Sequence, residues 1–138
     1  MGTFVDYQDT IFKGFNILVV EDDKESYNFL EAILTEYGAF VYEANNGLEA
    51  IETVNSNKIH LILMDVRMPI MDGFEATKAI KKSHPEVPVI IQTAFGLADD
   101  DIMAIESGCD DFITKPVQHD QLINIISNYL LNNDVYND

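Results

Sequence analysis

The chain has 138 residues, 47% of them hydrophobic, so it suits one domain with one buried core and excludes a disordered chain. Its 24 Asp and Glu outnumber 8 Lys and Arg, and the formal charge of −16 opposes direct binding to nucleic-acid phosphates or anionic membranes. Cys109 is the only cysteine, which excludes an internal disulfide and suits a reducing cytoplasm, and no apolar run approaches the length of a membrane span.

Residues 1–15 lack sustained periodicity and end near Lys13-Gly14, which reads as a leader or linker, with the domain proper over 16–131. Short apolar runs then alternate with amphipathic stretches. Runs at 17–20, 39–43, 61–64, 87–92 and 111–114 have strand length, whereas 24–37, 48–55, 73–82, 99–107 and 119–131 have helical character. Tyr27, Leu30, Leu34 and Tyr37 make one helical stripe, and Leu122, Ile125, Ile126 and Tyr129 make another. Gly38 and Gly108 stand just past periodic stretches, where a left-handed residue ends a helix, and Pro85 follows the third helix. Strict alternation of five strands and five helices predicts an α/β fold whose parallel sheet is covered on both faces. The Asn- and Asp-rich segment 132–138 is expected to fray.

Ligands bind such sheets outside the carboxyl ends of the strands. There the sequence places Glu21 and Asp22 after the first apolar run, Asp65 after the third, Thr93 after the fourth and Lys115 after the fifth. Three carboxylates gathered at one edge repel one another unless a cation neutralises them, and oxygen donors of this kind suit Mg²⁺ or Mn²⁺. An aspartyl carboxylate can also attack phosphorus, and the acyl phosphate it forms needs a metal, a lysine and a hydroxyl to neutralise its oxygens. Asp22, Thr93 and Lys115 have the chemistry for those tasks around Asp65.

Four segments together resemble the signatures of response-regulator receiver domains: Val19-Val20-Glu21-Asp22-Asp23; Leu63-Met64-Asp65-Val66-Arg67-Met68-Pro69 with Asp72-Gly73; Gln92-Thr93-Ala94; and Asp111-Phe112-Ile113-Thr114-Lys115-Pro116. The resemblance runs from about Asn16 to Leu131. It implies a flavodoxin-like (βα)5 doubly wound sheet with strands in the order 2-1-3-4-5. It makes Asp65 the phosphorylation site, with Asp22 and Asp65 binding metal directly, Glu21 acting through water and the Arg67 backbone carbonyl completing the protein ligands. Thr93 resembles the switch hydroxyl, Ala94 supplies an amide, Lys115 pairs with a phosphoryl oxygen, and Phe112 resembles the aromatic that changes rotamer. A cis bond before Pro116 and control of water access by the Arg67 and Phe95 side chains are also implied.

By the same resemblance the chain is a signalling domain rather than an enzyme, taking phosphoryl groups from a histidine kinase or phosphotransfer protein. Phosphorylation then remodels the face made by the fourth helix, fifth strand and fifth helix, which in relatives serves homodimers or unlike partners. The leader and the motif variants most resemble receivers of hybrid histidine kinases, which would place the domain on the cytoplasmic side of a membrane protein. A haloacid-dehalogenase-like phosphohydrolase would need Asp-x-Asp, and Asp65-Val66-Arg67 has no second acid. A pseudo-receiver would lack acceptor chemistry, yet every charged position is intact.

His60, His84 and His119 lie at element boundaries without ligand spacing and read as structural. Cys109 and the methionines Met64, Met68, Met71 and Met103 read as packing residues. Asp99, Asp100 and Asp101 precede a helical stripe, where acids favour the helix dipole, and have no predicted ligand role.

Overall fold

The computed structural model describes residues 10–94 and 98–131. Its elements follow the alternation: β1 (Asn16–Val20), α1 (Lys24–Glu36), β2 (Phe40–Ala44), α2 (Gly47–Ser56), β3 (Leu61–Asp65), α3 (Gly73–Ser83), β4 (Val89–Ala94), α4 (Ala98–Ser107), β5 (Asp111–Lys115) and α5 (His119–Leu130). All strand pairs are parallel, and the sheet order is β2-β1-β3-β4-β5. The chain therefore reverses its direction of winding between β1 and β3, and the crevice at that switch point is where a doubly wound sheet binds ligands.

Successive strand residues point to opposite faces, which divides the core in two. Leu18, Val20, Ile62, Met64, Val89 and Ile91 pack with Ala50 and Val54 of α2, Phe74, Ala76 and Ile80 of α3, and Ala104 of α4. Ile17, Val19, Leu61, Leu63, Ile90 and Ile113 pack on the other face, with Leu30, Ile33 and Leu34 of α1 and Leu122 and Ile126 of α5. Every residue of β3 is buried, because helices cover it from both sides and strands flank it at both edges.

Side chains fix where the first three helices start. Asp23 accepts a hydrogen bond from the Ser26 amide, Asn46 from the Glu49 amide and Asp72 from the Glu75 amide, each cap satisfying a donor that helix geometry leaves open. Asp72 and Glu75 complete a reciprocal capping box. Gly38, with φ of 97°, ends the first helical stretch as the sequence predicts. Strand β4 begins at Val89 rather than 87, because Pro88 has no amide for the ladder and offers only its carbonyl, which accepts from Ile62.

One boundary differs in substance. Phe12, read from sequence as part of a leader, is fully buried in the α1/α5 core, and its amide donates to the Tyr37 carbonyl at 2.9 Å. Its ring lies 6.1 Å from that of Tyr37. Truncating such a buried phenylalanine costs about 3–5 kcal/mol, so the folded unit includes the end of the supposed leader. The segments expected to be the rest of the leader, 1–9, and the frayed tail, 132–138, lie outside the described residues.

Among the described residues Ile70 is the non-glycine residue with positive φ. It holds φ of 72° while its side chain is 77% exposed. A β-branched residue in the left-handed region carries strain of about 1–3 kcal/mol, and exposure returns little burial energy. Ile70→Asn is therefore expected to stabilise the protein by about 1 kcal/mol, read as a higher midpoint of urea unfolding at unchanged slope.

Candidate functional site

The sheet register assembles the site. Pairing of Val20 with Met64 brings Glu21 alongside Asp65, the last residue of β3. Asp65 is level with Gln92, Thr93 with Thr114, and Ala94 with Lys115. The acids, hydroxyl and lysine predicted from sequence thus arrive at one edge, Asp65 and Lys115 as final strand residues and Thr93 one residue before the end of its strand.

Lys115 Nζ lies 2.8 Å from Asp65 Oδ1 and 3.4 Å from Glu21 Oε1. Glu21, Asp22 and Asp65 each present a carboxylate oxygen, and the three atoms lie within 4.8 Å of one another. Asp22 is exposed, whereas Glu21 and Asp65 are buried, so the cluster opens to solvent on one side. The cleft has a volume of about 340 Å³ and is also lined by Arg67, Ala94 and Asp100. Three oxygen donors with an open side can hold a hard divalent cation.

Burial, reinforced by the charge and hydrogen bond of Asp65, pushes the Glu21 carboxyl up to about 7. For Lys115, burial alone would lower the ammonium, but its hydrogen bond and charge contact with Asp65, joined by Glu21, raise it. The lysine stays charged and partly neutralises the two acids. Thr93 Oγ1 is buried with no hydrogen-bond partner among the described residues. A hydroxyl left in that state loses about 1–3 kcal/mol of solvation unless a further acceptor arrives. Phe112, beside Thr114 on β5, is half-buried against the α2–α4 side of the core.

Two residues at the site had no role assigned to them from the sequence. Gly73 starts α3 in direct apposition to the Asp65 backbone: a Cβ there would fall on the Asp65 carbonyl oxygen and 2.9 Å from its carbonyl carbon. Asp100 is the second. Only 1% exposed, it pairs with Arg67 at 2.5 Å, although the triplet Asp99–Asp101 promised no more than a dipole effect. The spacing Asp65-x7-Gly73 is a visible signal for the first. None marks Asp100 out from its two neighbours.

The remaining sequence readings separate cleanly. Asn16 donates its amide to His60 Nδ1, His84 contacts Asn55, and His119 contacts Tyr37 and Asp120, all away from the cleft. Cys109 is half-buried against the core, and burial raises its thiol. Met64, Met68 and Met71 pack as expected, but Met103 is 43% exposed beside exposed Ile102 and Ile105 on α4. The Lys115–Pro116 bond is cis. Phe95 lies outside the described residues.

The sequence model of the response regulator receiver domain matches residues 17–127. The chain belongs to the response-regulator receiver family. Receivers of this family are phosphorylation-accepting signalling domains. This receiver is 43% identical over 107 residues to the transcriptional regulatory protein ZraR of Klebsiella oxytoca, covering 78% of the chain and 24% of that protein. It is 36% identical over 121 residues to the transcription factor SKN7 of Saccharomyces cerevisiae, covering 88% of the chain and 20% of that protein. The receiver thus spans about a quarter or less of the curated relatives it matches.

Among solved structures, the signal receiver domain of a signal transduction histidine kinase from Syntrophus aciditrophicus is similar with a TM-score of 0.80 and 34% identity, covering 85% of this chain and 90% of that one. The receiver domain of a sensor histidine kinase from Pseudomonas aeruginosa PAO1, with magnesium coordinated in its active-site cleft, gives 0.79 and 31%, covering 84% and 97%.

The raised Glu21 carboxyl makes the stability of this receiver depend on pH. Between its usual 4.5 and about 7 the metal-free fold binds more protons at Glu21 than the unfolded chain does, so the group's stabilising contribution is complete below the lower value and lost as pH rises through the upper. The metal-free protein should show a falling urea midpoint from about pH 5 to pH 8, and a divalent ion should flatten that fall.

Proposed function

We propose that this receiver takes a phosphoryl group onto Asp65 from the phosphohistidine of a histidine kinase or phosphotransfer protein, using Mg²⁺, with Mn²⁺ able to substitute. The observation that carries the proposal is the contact of Asp65 Oδ1 with Lys115 at 2.8 Å inside a cleft that also gathers Glu21 and Asp22. A carboxylate oxygen of Asp65 attacks phosphorus, the phosphorus–nitrogen bond breaks, and the imidazole leaves with the electron pair and takes up a proton.

Asp22, Asp65 and the Arg67 backbone carbonyl would hold the metal, with Glu21 acting through water. When bound, Mg²⁺ neutralises negative charge on the transferring oxygens. Lys115, already on Asp65, moves to a phosphoryl oxygen, and the Thr93 hydroxyl, which has no partner among the described residues, donates to another while the Ala94 amide lies alongside. Movement of Thr93 leaves space that Phe112 can enter, which alters the face of α4, β5 and α5 and so the partners it suits. That face could serve a homodimer or an unlike protein. Similarity to kinase-borne receivers of known structure favours an origin within a hybrid histidine kinase, with this segment on the cytoplasmic side. Among the described residues no helix is long and apolar enough to cross a membrane.

The test is intact-mass measurement after incubation with acetyl phosphate or phosphoramidate. One added phosphoryl group in the wild type, absent from Asp65→Asn and absent after chelation of Mg²⁺, is the expected result. No addition to any sample would leave a pseudo-receiver, and sustained turnover of donor would mark a hydrolase.

A further inference from the structure

Arg67 and Asp100 make an ion pair between an exposed cation and a buried anion. The Arg67 side chain is 65% exposed, and an arginine so placed ordinarily samples solvent, its surface pairs contributing little. Here its Nη2 reaches a carboxylate that is 1% exposed. The other oxygen of that carboxylate, Asp100 Oδ2, has no hydrogen-bond partner among the described residues. Arg67 is therefore the cation that makes burial of the Asp100 charge tolerable.

Both residues line the cleft that holds Asp65. Among the described residues, five carboxylates, Glu21, Asp22, Asp23, Asp65 and Asp100, line that cleft against two cations, Lys115 and Arg67. Lys115 is committed to Asp65 and Glu21. An anionic phosphodonor approaching so acidic a mouth meets repulsion unless the second cation is fixed there.

We infer that Asp100 is a positioning residue for phosphoryl transfer: it holds the Arg67 guanidinium at the mouth of the cleft, where it meets the incoming phosphoryl group. This inference rests on the proposed acceptor role of Asp65. The guanidinium fork suits the task, since its Nη2 binds Asp100 and a residue that lines the cleft keeps further donors in the same planar group. Asp100, for its part, sits in the first turn of α4, where the helix favours an anion, and its backbone is fixed by that helix.

The test is the rate of phosphorylation by acetyl phosphate in Asp100→Asn, Arg67→Ala and the double variant, with melting temperature recorded for each. Asp100→Asn and Arg67→Ala should each slow the reaction by roughly 5- to 10-fold, and the double variant should be no slower than Arg67→Ala alone, because both changes remove one held cation. Multiplying effects in the double variant would overturn the inference, as would a wild-type rate in either single variant. Relaxation of the Arg67 Nε–Hε group in the unaltered protein keeps the inference testable even if Asp100→Asn does not fold. Order comparable to the backbone is expected, and a freely averaging side chain would overturn the inference. Absence of phosphorylation in the wild type itself would instead bring down the acceptor role of Asp65.

Discussion

Replacing Gly73 by alanine is expected to remove phosphorylation and lower the melting temperature together. The added methyl would meet the Asp65 carbonyl group, with Met64 Cγ only 3.0 Å away. None of these neighbours is the loose end of a side chain. Asp65 belongs to a strand buried along its whole length, and the Gly73 amide donates to the Val66 carbonyl at 2.9 Å, so helix and strand cannot separate without losing that bond. Overpacking against a fixed backbone costs roughly 3 kcal/mol, about 10 °C in a domain of this size. The strain falls on Asp65, the proposed acceptor, and a displacement of about 1 Å at a reacting group can cost 10²-fold in rate. Gly108→Ala is the control: among the described residues nothing lies within 4 Å of its Cβ position and only φ of 85° opposes the side chain, so about 1 kcal/mol and normal phosphorylation are expected. Intact mass with a phosphodonor, alongside thermal unfolding, reads both outcomes.

Lys115→Met is expected to move two properties of the cleft in opposite directions. Its ammonium touches both Asp65 and Glu21, and in the proposed reaction it follows the charge onto the phosphoryl group. Losing one such donor slows transfer by about 10²-fold. The same ammonium repels a divalent cation bound by the same oxygens. Its removal should tighten Mg²⁺ binding by about tenfold, the effect of relieving some 1.4 kcal/mol of repulsion. Because Lys115 also holds the Glu21 carboxyl down, the comparison belongs at about pH 9, where protons no longer compete for that oxygen. Slower transfer with unchanged metal affinity would mean that Lys115 lies outside the metal's field, and normal transfer would remove it from the proposed chemistry.

Much of this arrangement was legible in the sequence because a doubly wound sheet translates position into place. Apolar runs of strand length marked the five strands, and the polar residues at their ends had to converge, which put Glu21, Asp22, Asp65, Thr93 and Lys115 together before any coordinate was known. Phe12 was not legible. A lone aromatic in an aperiodic stretch gives no period from which to infer a buried face, and only the gap beside Tyr37 shows what it fills. Asp100 stayed hidden for another reason: three consecutive aspartates share one local composition, while the helix turns each to a different direction, and only the middle one, with 1% exposure, meets Arg67. Met103 misled because sulfur-bearing side chains suit cores, and the outward face of α4 beside Ile102 and Ile105 is not a core.

The central place of β3 has a consequence for how the domain comes apart. A strand flanked on both edges and covered on both faces exchanges its amide hydrogens only when the whole domain opens. Asp65 terminates that strand, so breathing of the peripheral helices leaves the proposed acceptor anchored. Competence to be phosphorylated should then survive heating until the cooperative transition itself, and vanish with it.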